Sequence, residues 1–232
     1  QDVAHPRLVA NRKVGGVTGS TGQGAGSTIF YSNGYLYLGL TKTSGGPEFI
    51  IFDVGANIGS STNPIQLGTF AVGRTINSLM VIGNTVYLAT DDNSKELVSL
   101  DVTDKTHPKL LATFNAPGTS NFGYGFSIAQ AEDSLMFGRS YVGNAPELYH
   151  LSRALALLHS RDIGLTAQPD GVDALLATKD NAVILTNNTL SKWNTNTNTL
   201  SNILSLSTLG SIAVDRRGAL ACTETFLIAA IP

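Results

Sequence analysis

The sequence predicts an all-β chain, a β-propeller of about five four-stranded blades. Three observations carry that expectation. A unit of roughly 45 residues recurs along the chain. Its apolar residues alternate with the period of two that marks strands, and its breaks are filled by Gly, Asn, Asp or Pro.

The clearest unit is INSLMVIGNTVYLATDDNSKELVSLDVTDKTHPKLLATFNAPG, from Ile76 to Gly118, which reads as four short strands. Its second strand recurs as NGYLYLGL from Asn33, GNTVYLAT from Gly83, EDSLMFGR from Glu132, DNAVILTN from Asp180 and RGALACTE from Arg217. This register makes Tyr37, Tyr87, Met136, Ile184 and Ala221 equivalent. Each copy follows a short turn of Asn, Gly and Asp, the residues that supply positive φ in tight hairpins. The third strand recurs as PEFIIFDV from Pro47, KELVSLDV from Lys95, PELYHLSR from Pro146, TLSKWNTN from Thr189 and TFLIAAIP from Thr225. The fourth recurs as NPIQLGTF from Asn63, HPKLLATF from His107, ALALLHSR from Ala154 and TLSNILSL from Thr199.

Helical signals are scarce. RALALLHSRD from Arg153 has helix propensity, but the repeat places it on a fourth strand, and register outweighs propensity. VDALLATKDNAV from Val172 is the other ambiguous stretch, and the fourth blade, with NTNTNT from Asn194, departs furthest from the pattern.

The reading is one domain over 1–232: a closing strand in 1–16, blades at 27–73, 74–118, 119–164 and 165–208, and a last blade at 209–232. The last blade lacks a fourth strand, whereas DVAHPRLVANRKVGG from Asp2 matches the fourth-strand region DVTDKTHPKLLATFNAPG from Asp101. The segment Pro6 to Val14 is therefore expected to pair with the strand around Phe226 to Ile231. That closes the ring and hides an edge that would invite another chain.

Composition narrows the function. Hydrophobic residues make up 42% of the 232 and charged residues 14%, against a usual charged share of about 25%. Ser, Thr, Asn and Gly fill the polar positions. A net charge of -2 gives no pull toward nucleic acid or an anionic membrane. No apolar run approaches the roughly 20 residues that span a bilayer. The chain begins at Gln1 without Met, so removal of a leader or anchor is expected. Cys222 is the only cysteine, which excludes an internal disulfide framework and a cysteine-clustered zinc site; it reads as a small core residue.

The unit from Ile76 to Gly118 resembles the LVIVD repeat of bacterial propellers. The resemblance lies in the Gly83-Asn84 turn, Tyr87-Leu88-Ala89, the apolar strand ending in Asp101-Val102, and Pro108 followed by Leu110-Leu111. It is close in this blade, good in the first complete blade, partial in the third and poor in the last two. The resemblance implies a propeller on a bacterial cell surface, often behind an N-terminal anchor. It implies no uniform activity and no shared catalytic residues.

No catalytic constellation stands out. His5 and His107 share one repeat position before Pro and read as turn residues. His150 and His159 lie on strands of the third blade, and no histidine pair has the spacing of a helical zinc motif. Glu48, Glu96 and Glu147 start third strands in three blades and read as turn-stabilising or surface positions. TDDNSKE from Thr90 lacks the ligand spacing of a calcium loop. The glycine-rich Gly15 to Ser27 has no Gly-Lys-Ser/Thr ending, and no Gly-x-Ser-x-Gly elbow occurs. No metal and no cofactor are expected.

Function is expected on the loops entering the innermost strands, which carry Arg74, Thr75, Asn77, Asn121, Phe122, Tyr124, Asp170 and Asp173. The candidate binding residues are Arg74, Asn77, Phe122, Tyr124, Asp170 and Asp173. Phe122 and Tyr124 would suit stacking on a sugar or packing on a partner if exposed. The leading reading is a non-enzymatic extracellular or surface propeller that binds a protein or glycan. One alternative is a lactonase-like hydrolase or lyase at the central channel, with Asn77, Asp170 and Asp173 as its polar groups. Another is a structural subunit of a surface filament.

Overall fold

The structure is a computed structural model that describes residues 24–55, 64–118, 123–166, 170–186, 189–205, 219–222 and 227–230. Among these residues the chain is all strand and turn, with no helix. The first sheet contains β1 (Gly26–Ser32), β2 (Tyr35–Leu40), β3 (Phe49–Asp53) and β4 (Ile65–Phe70). The second contains β5 (Ile76–Ile82), β6 (Thr85–Thr90), β7 (Leu97–Asp101) and β8 (Lys109–Phe114). The third contains β9 (Gly125–Ala131), β10 (Ser134–Arg139), β11 (Leu148–Ser152) and β12 (Leu157–Arg161). The fourth contains β13 (Ala174–Ala177), β14 (Asn181–Leu185), β15 (Thr189–Asn194) and β16 (Thr199–Ser205). A pair, β17 (Ala219–Cys222) and β18 (Leu227–Ala230), follows. In each four-stranded sheet, strands adjacent in sequence are hydrogen-bonded neighbours.

The local reasons are those of hairpins. Asn33 and Gly34 both take positive φ, 51° and 84°, and return the chain from β1 into β2. Glu132 does the same at 49° between β9 and β10. Repeat-equivalent residues occupy equivalent places: Tyr37 pairs with Phe30 and Ile51, Met136 with Ala129 and His150, and Ile184 with Leu175 and Ser191. The register slips between the third and fourth strands of the first, third and fourth sheets. Such bulges add twist and make an outer strand a poorer template for another chain. The stretch with helix propensity forms strand β12, as its register requires.

The chain divides into two compact units, Gln1–Val86 with Asp101–Lys109, and Tyr87–Leu100 with Leu110–Pro232. In the first unit β5 lies beside β1. Ser27 Oγ lies within hydrogen-bond reach of the carbonyls of both Gly39 and Ile76, tying one sheet to the next. In the second unit β13 lies beside β9, and β17 beside β13. Ser127 Oγ there donates to Val172 O at 2.6 Å, the same tie in a later copy. Glycine makes room for it. A Cβ on Gly39 would stand 2.8 Å from Ile76 Cγ2, and one on Gly138 would stand 2.3 Å from Val172 Cγ1.

Each unit has its own apolar packing. Leu40, Ile50 and Phe52 cluster in the first. Met136, Leu148, Val172, Leu175, Ile184 and Trp193 cluster in the second, where the indole N–H donates to Asn198 Oδ1 at 3.0 Å. The proposed closing pair of Pro6 to Val14 with Phe226 to Ile231 lies largely outside the described residues.

Candidate functional site

Three buried glutamates correct the sequence reading. Glu48, Glu96 and Glu147 immediately precede β3, β7 and β11, and each is 0–1% exposed. A charged residue at a strand start looks like surface, yet each carboxylate accepts main-chain N–H bonds from the segment that leaves the fourth strand. Glu48 Oε2 accepts from Val72 N at 3.0 Å and Gly73 N at 2.8 Å. Glu96 Oε2 accepts from Ala116 N at 3.0 Å, and Glu147 Oε2 from Ile163 N at 3.1 Å. The turn-stabilising role holds; the surface location does not. These N–H groups have no sheet partner after the strand ends, and the carboxylate satisfies them.

The three latches differ in completeness. Glu48 Oε1 accepts from Thr43 N at 3.2 Å and Thr43 Oγ1 at 2.9 Å. Glu96 Oε1 accepts from Arg139 Nη1 at 3.3 Å. Glu147 Oε1 is buried without a hydrogen-bond partner. Burial raises the Glu147 carboxyl to about 7, opposed by the Ile163 N–H and reinforced by Asp162. Burial also raises Glu96, while the Ala116 N–H and Arg139 pull it back.

Arg139 was not singled out in the sequence. Its side chain is 1% exposed, donates to Pro146 O at 3.0 Å and to Pro117 O, and lies 5.4 Å from the Tyr149 ring centroid. The signal was present: the repeat has Leu40 and Thr90 where the third blade has a guanidinium. Phe114 and Phe137 pack edge-on nearby, with centroids 6.1 Å apart.

The predicted binding residues fall into two groups. In the first unit, Arg74 is exposed on the connection from β4 to β5. Asn77 is not on a loop as expected: it lies within β5 and is 7% exposed, because the strand already begins at the β-branched Ile76. In the second unit the backbone gathers Tyr124, Asp170 and Asp173. Tyr124 N donates to Ser140 Oγ at 2.9 Å and Ser140 N returns to Tyr124 O. Tyr141 N donates to Asp170 O at 2.8 Å, Ser140 bridges Gly171, and Asp173 N donates to Leu185 O. Tyr124, Tyr141, Asp170 and Asp173 are half-buried. Phe122 and Asn121 lie outside the described residues.

Asp170 also lines a cleft of about 260 Å³ in this unit. Thr166, Thr186, Thr189, Ser191 and Asn202 supply its polar wall, and Ile163 and Ile184 are among its apolar residues. Thr186 and Thr189 hydroxyls meet at 3.1 Å, and Ser191 Oγ donates to Asn202 Oδ1 at 2.9 Å. Sequence reasoning reached Asp170 but not these partners, because Thr166 precedes β13, Thr186 follows β14, and Thr189, Ser191 and Asn202 come from β15 and β16, in the least regular blade.

The remaining polar motifs behave as turns. His107 Nδ1 sits 2.9 Å from Asp104 Oδ2, and the Thr106 hydroxyl and N–H hold the Asp104 carboxyl well below the usual range. Within TDDNSKE, Asp92 Oδ1 accepts the Ser94 N–H and hydroxyl. His150 and His159 stand directly opposite each other on β11 and β12.

No family model and no curated protein sequence matches the chain. Solved structures do. The extracellular domain of a one component system from B. thetaiotaomicron superposes with a TM-score of 0.59 at 12% identity, over 88% of this chain and 26% of its own. A chain of the nidogen/laminin complex gives 0.59 at 8% identity, over 90% of this chain and 73% of its own. This chain is a β-propeller. BamB from Moraxella catarrhalis, at a TM-score of 0.52 and 12% identity over 78% of this chain and 51% of its own, has the same fold. The propeller thus spans about a quarter of the first of these structures and half of BamB. At such identities the likeness shows the fold alone.

Proposed function

We propose that this propeller is a non-enzymatic binding module of the cell surface or extracellular space, holding a glycan or a protein segment beside Tyr124, Tyr141 and Asp170. The observation that carries the reading is the Asp170 cleft, whose lining is hydroxyls, an amide and one carboxylate on an apolar floor. Such a lining matches the hydroxyls and C–H faces of a sugar, and half-exposed Tyr141, whose N–H donates to Asp170 O, offers contact area at small entropic cost. The buried acids whose carboxyls burial raises, Glu96 and Glu147, are engaged with main-chain N–H groups and so have a structural explanation. The resemblance of Ile76 to Gly118 to the LVIVD repeat and the extracellular domain among the structural neighbours support the location.

A glycan array followed by titration calorimetry tests this. Asp170→Asn and Asn202→Ala should each weaken the captured ligand about tenfold or more, roughly 1.4 kcal/mol, with the thermal midpoint unchanged. Turnover of the captured ligand would favour the hydrolase reading instead. The reading also takes 1–232 as one domain with a last blade completed by segment 1–16. Deleting residues 1–15 should then expose an edge and cause aggregation; a monomeric truncation of equal stability would contradict that.

A further inference from the structure

His150 and His159 form a cross-strand pair at directly opposed positions of β11 and β12, their rings stacked with centroids 5.6 Å apart. The proton positions on His150 follow from its neighbour. Ser134 Oγ donates its single proton to Ala131 O at 2.7 Å. The same oxygen lies 2.7 Å from His150 Nε2, so it must accept, and His150 carries its proton on Nε2. Nδ1 is then a bare lone pair, and it is buried with no hydrogen-bond partner. A neutral imidazole whose N–H is fixed by a neighbour while its other nitrogen has no donor is the arrangement of a metal-ligating histidine.

His159 supplies the second imidazole. It is exposed and makes no hydrogen bond among the described residues, so its ring is free to turn about its own side-chain bonds. Directly opposed residues of an antiparallel pair have Cβ atoms about 4.5–5.5 Å apart. That separation lets two imidazole nitrogens reach one ion at about 2.0–2.1 Å each. Asp180 is near enough to act electrostatically on His150. Burial, with His159 next, favours the neutral form of His150, the form that binds metal.

We propose that His150 Nδ1 and His159 bind a borderline divalent metal ion, Zn²⁺ in the first instance, with Asp180 as a nearby acidic partner and water filling the open positions. Two imidazoles match the nitrogen preference of Zn²⁺, and a d¹⁰ ion tolerates an incomplete protein shell. The nine-residue separation concealed the pair, because it becomes a facing pair only through the β11–β12 hairpin and its bulge.

Titration of the full chain with zinc chloride near pH 7.5 tests the site. One ion per chain should bind, and His159→Gln should weaken binding at least tenfold. His107→Gln, in an exposed turn, should change nothing. Nitrogen-15 spectra should show zinc shifting His150 Nδ1 while Nε2 keeps its proton. Equal binding by the wild type and His159→Gln, or zinc shifts confined to other histidines, would overturn the assignment. So would a wild type that takes up no zinc at millimolar metal.

Discussion

The latches of the first and third blades occupy one repeat position and differ in the donors they meet. Glu48 accepts four hydrogen bonds, from Thr43 N, Thr43 Oγ1, Val72 N and Gly73 N. Glu147 accepts one, from Ile163 N, and its other oxygen has no partner. Both side chains are fully buried. A carboxyl raised to about 7 therefore arises here from missing donors inside a structural device. A perturbed acid in a propeller is not by itself a sign of acid–base chemistry, since strongly shifted groups also occur in structural networks.

The comparison can be broken by substitution. Glu48→Ala strands three main-chain N–H groups, those of Thr43, Val72 and Gly73, and should cost about 3 kcal/mol in urea unfolding with an unchanged slope. Glu147→Gln should be close to neutral at pH 5. A smaller cost for Glu48→Ala than for Glu147→Ala would reverse the ranking of the two latches.

Acidity sharpens the same contrast. The folded-state value for Glu147 lies above its unfolded value, so the folded chain holds the proton more tightly between about 4.5 and about 7. The contribution is complete below the unfolded value and is lost as pH rises through the folded one, on the order of 3 kcal/mol in all. Wild-type stability relative to Glu147→Gln should fall across that window. His150 works in the opposite sense. Its folded value lies below 6.5, so its contribution is present above that pH and fades as pH falls. Stability curves for Glu147→Gln and His150→Gln against the wild type separate the two groups. A flat difference curve for Glu147→Gln would mean its carboxyl titrates normally.

A smaller effect tests the inter-sheet tie rather than the latch. Gly138→Ala places a methyl group 2.3 Å from Val172 Cγ1 and should cost about 1–2 kcal/mol. No loss there would mean β13 shifts freely beside β9.

Much of the fold was legible because its signals are local. The Asn33-Gly34 turn, the alternation in TVYLAT and the recurring Tyr37, Tyr87 and Met136 positions each depend on a few neighbouring residues. The candidate site was less legible because its partners are distant. Glu48 looks exposed until Val72 and Gly73 arrive from the far side of β4, and Arg139 finds its acceptors at Glu96 and Pro117. Asn77 failed as a loop residue by a shift of two positions in where β5 begins. The loop position of Asp170 was legible because the chain must enter β13 there, while Thr186, Ser191 and Asn202 line the same cleft only once the fourth sheet is assembled.

Buried acids tie the blades together, and the half-exposed end of the second unit is where we propose a ligand binds. The most direct measurement compares Glu147→Gln and Tyr124→Ala for ligand capture, ligand turnover and thermal midpoint in one experiment. Glu147→Gln should keep capture intact, Tyr124→Ala should lose it at an unchanged midpoint, and neither variant nor the wild type should turn the ligand over. Turnover by the wild type that vanishes in Glu147→Gln, with capture intact in Tyr124→Ala, would contradict it.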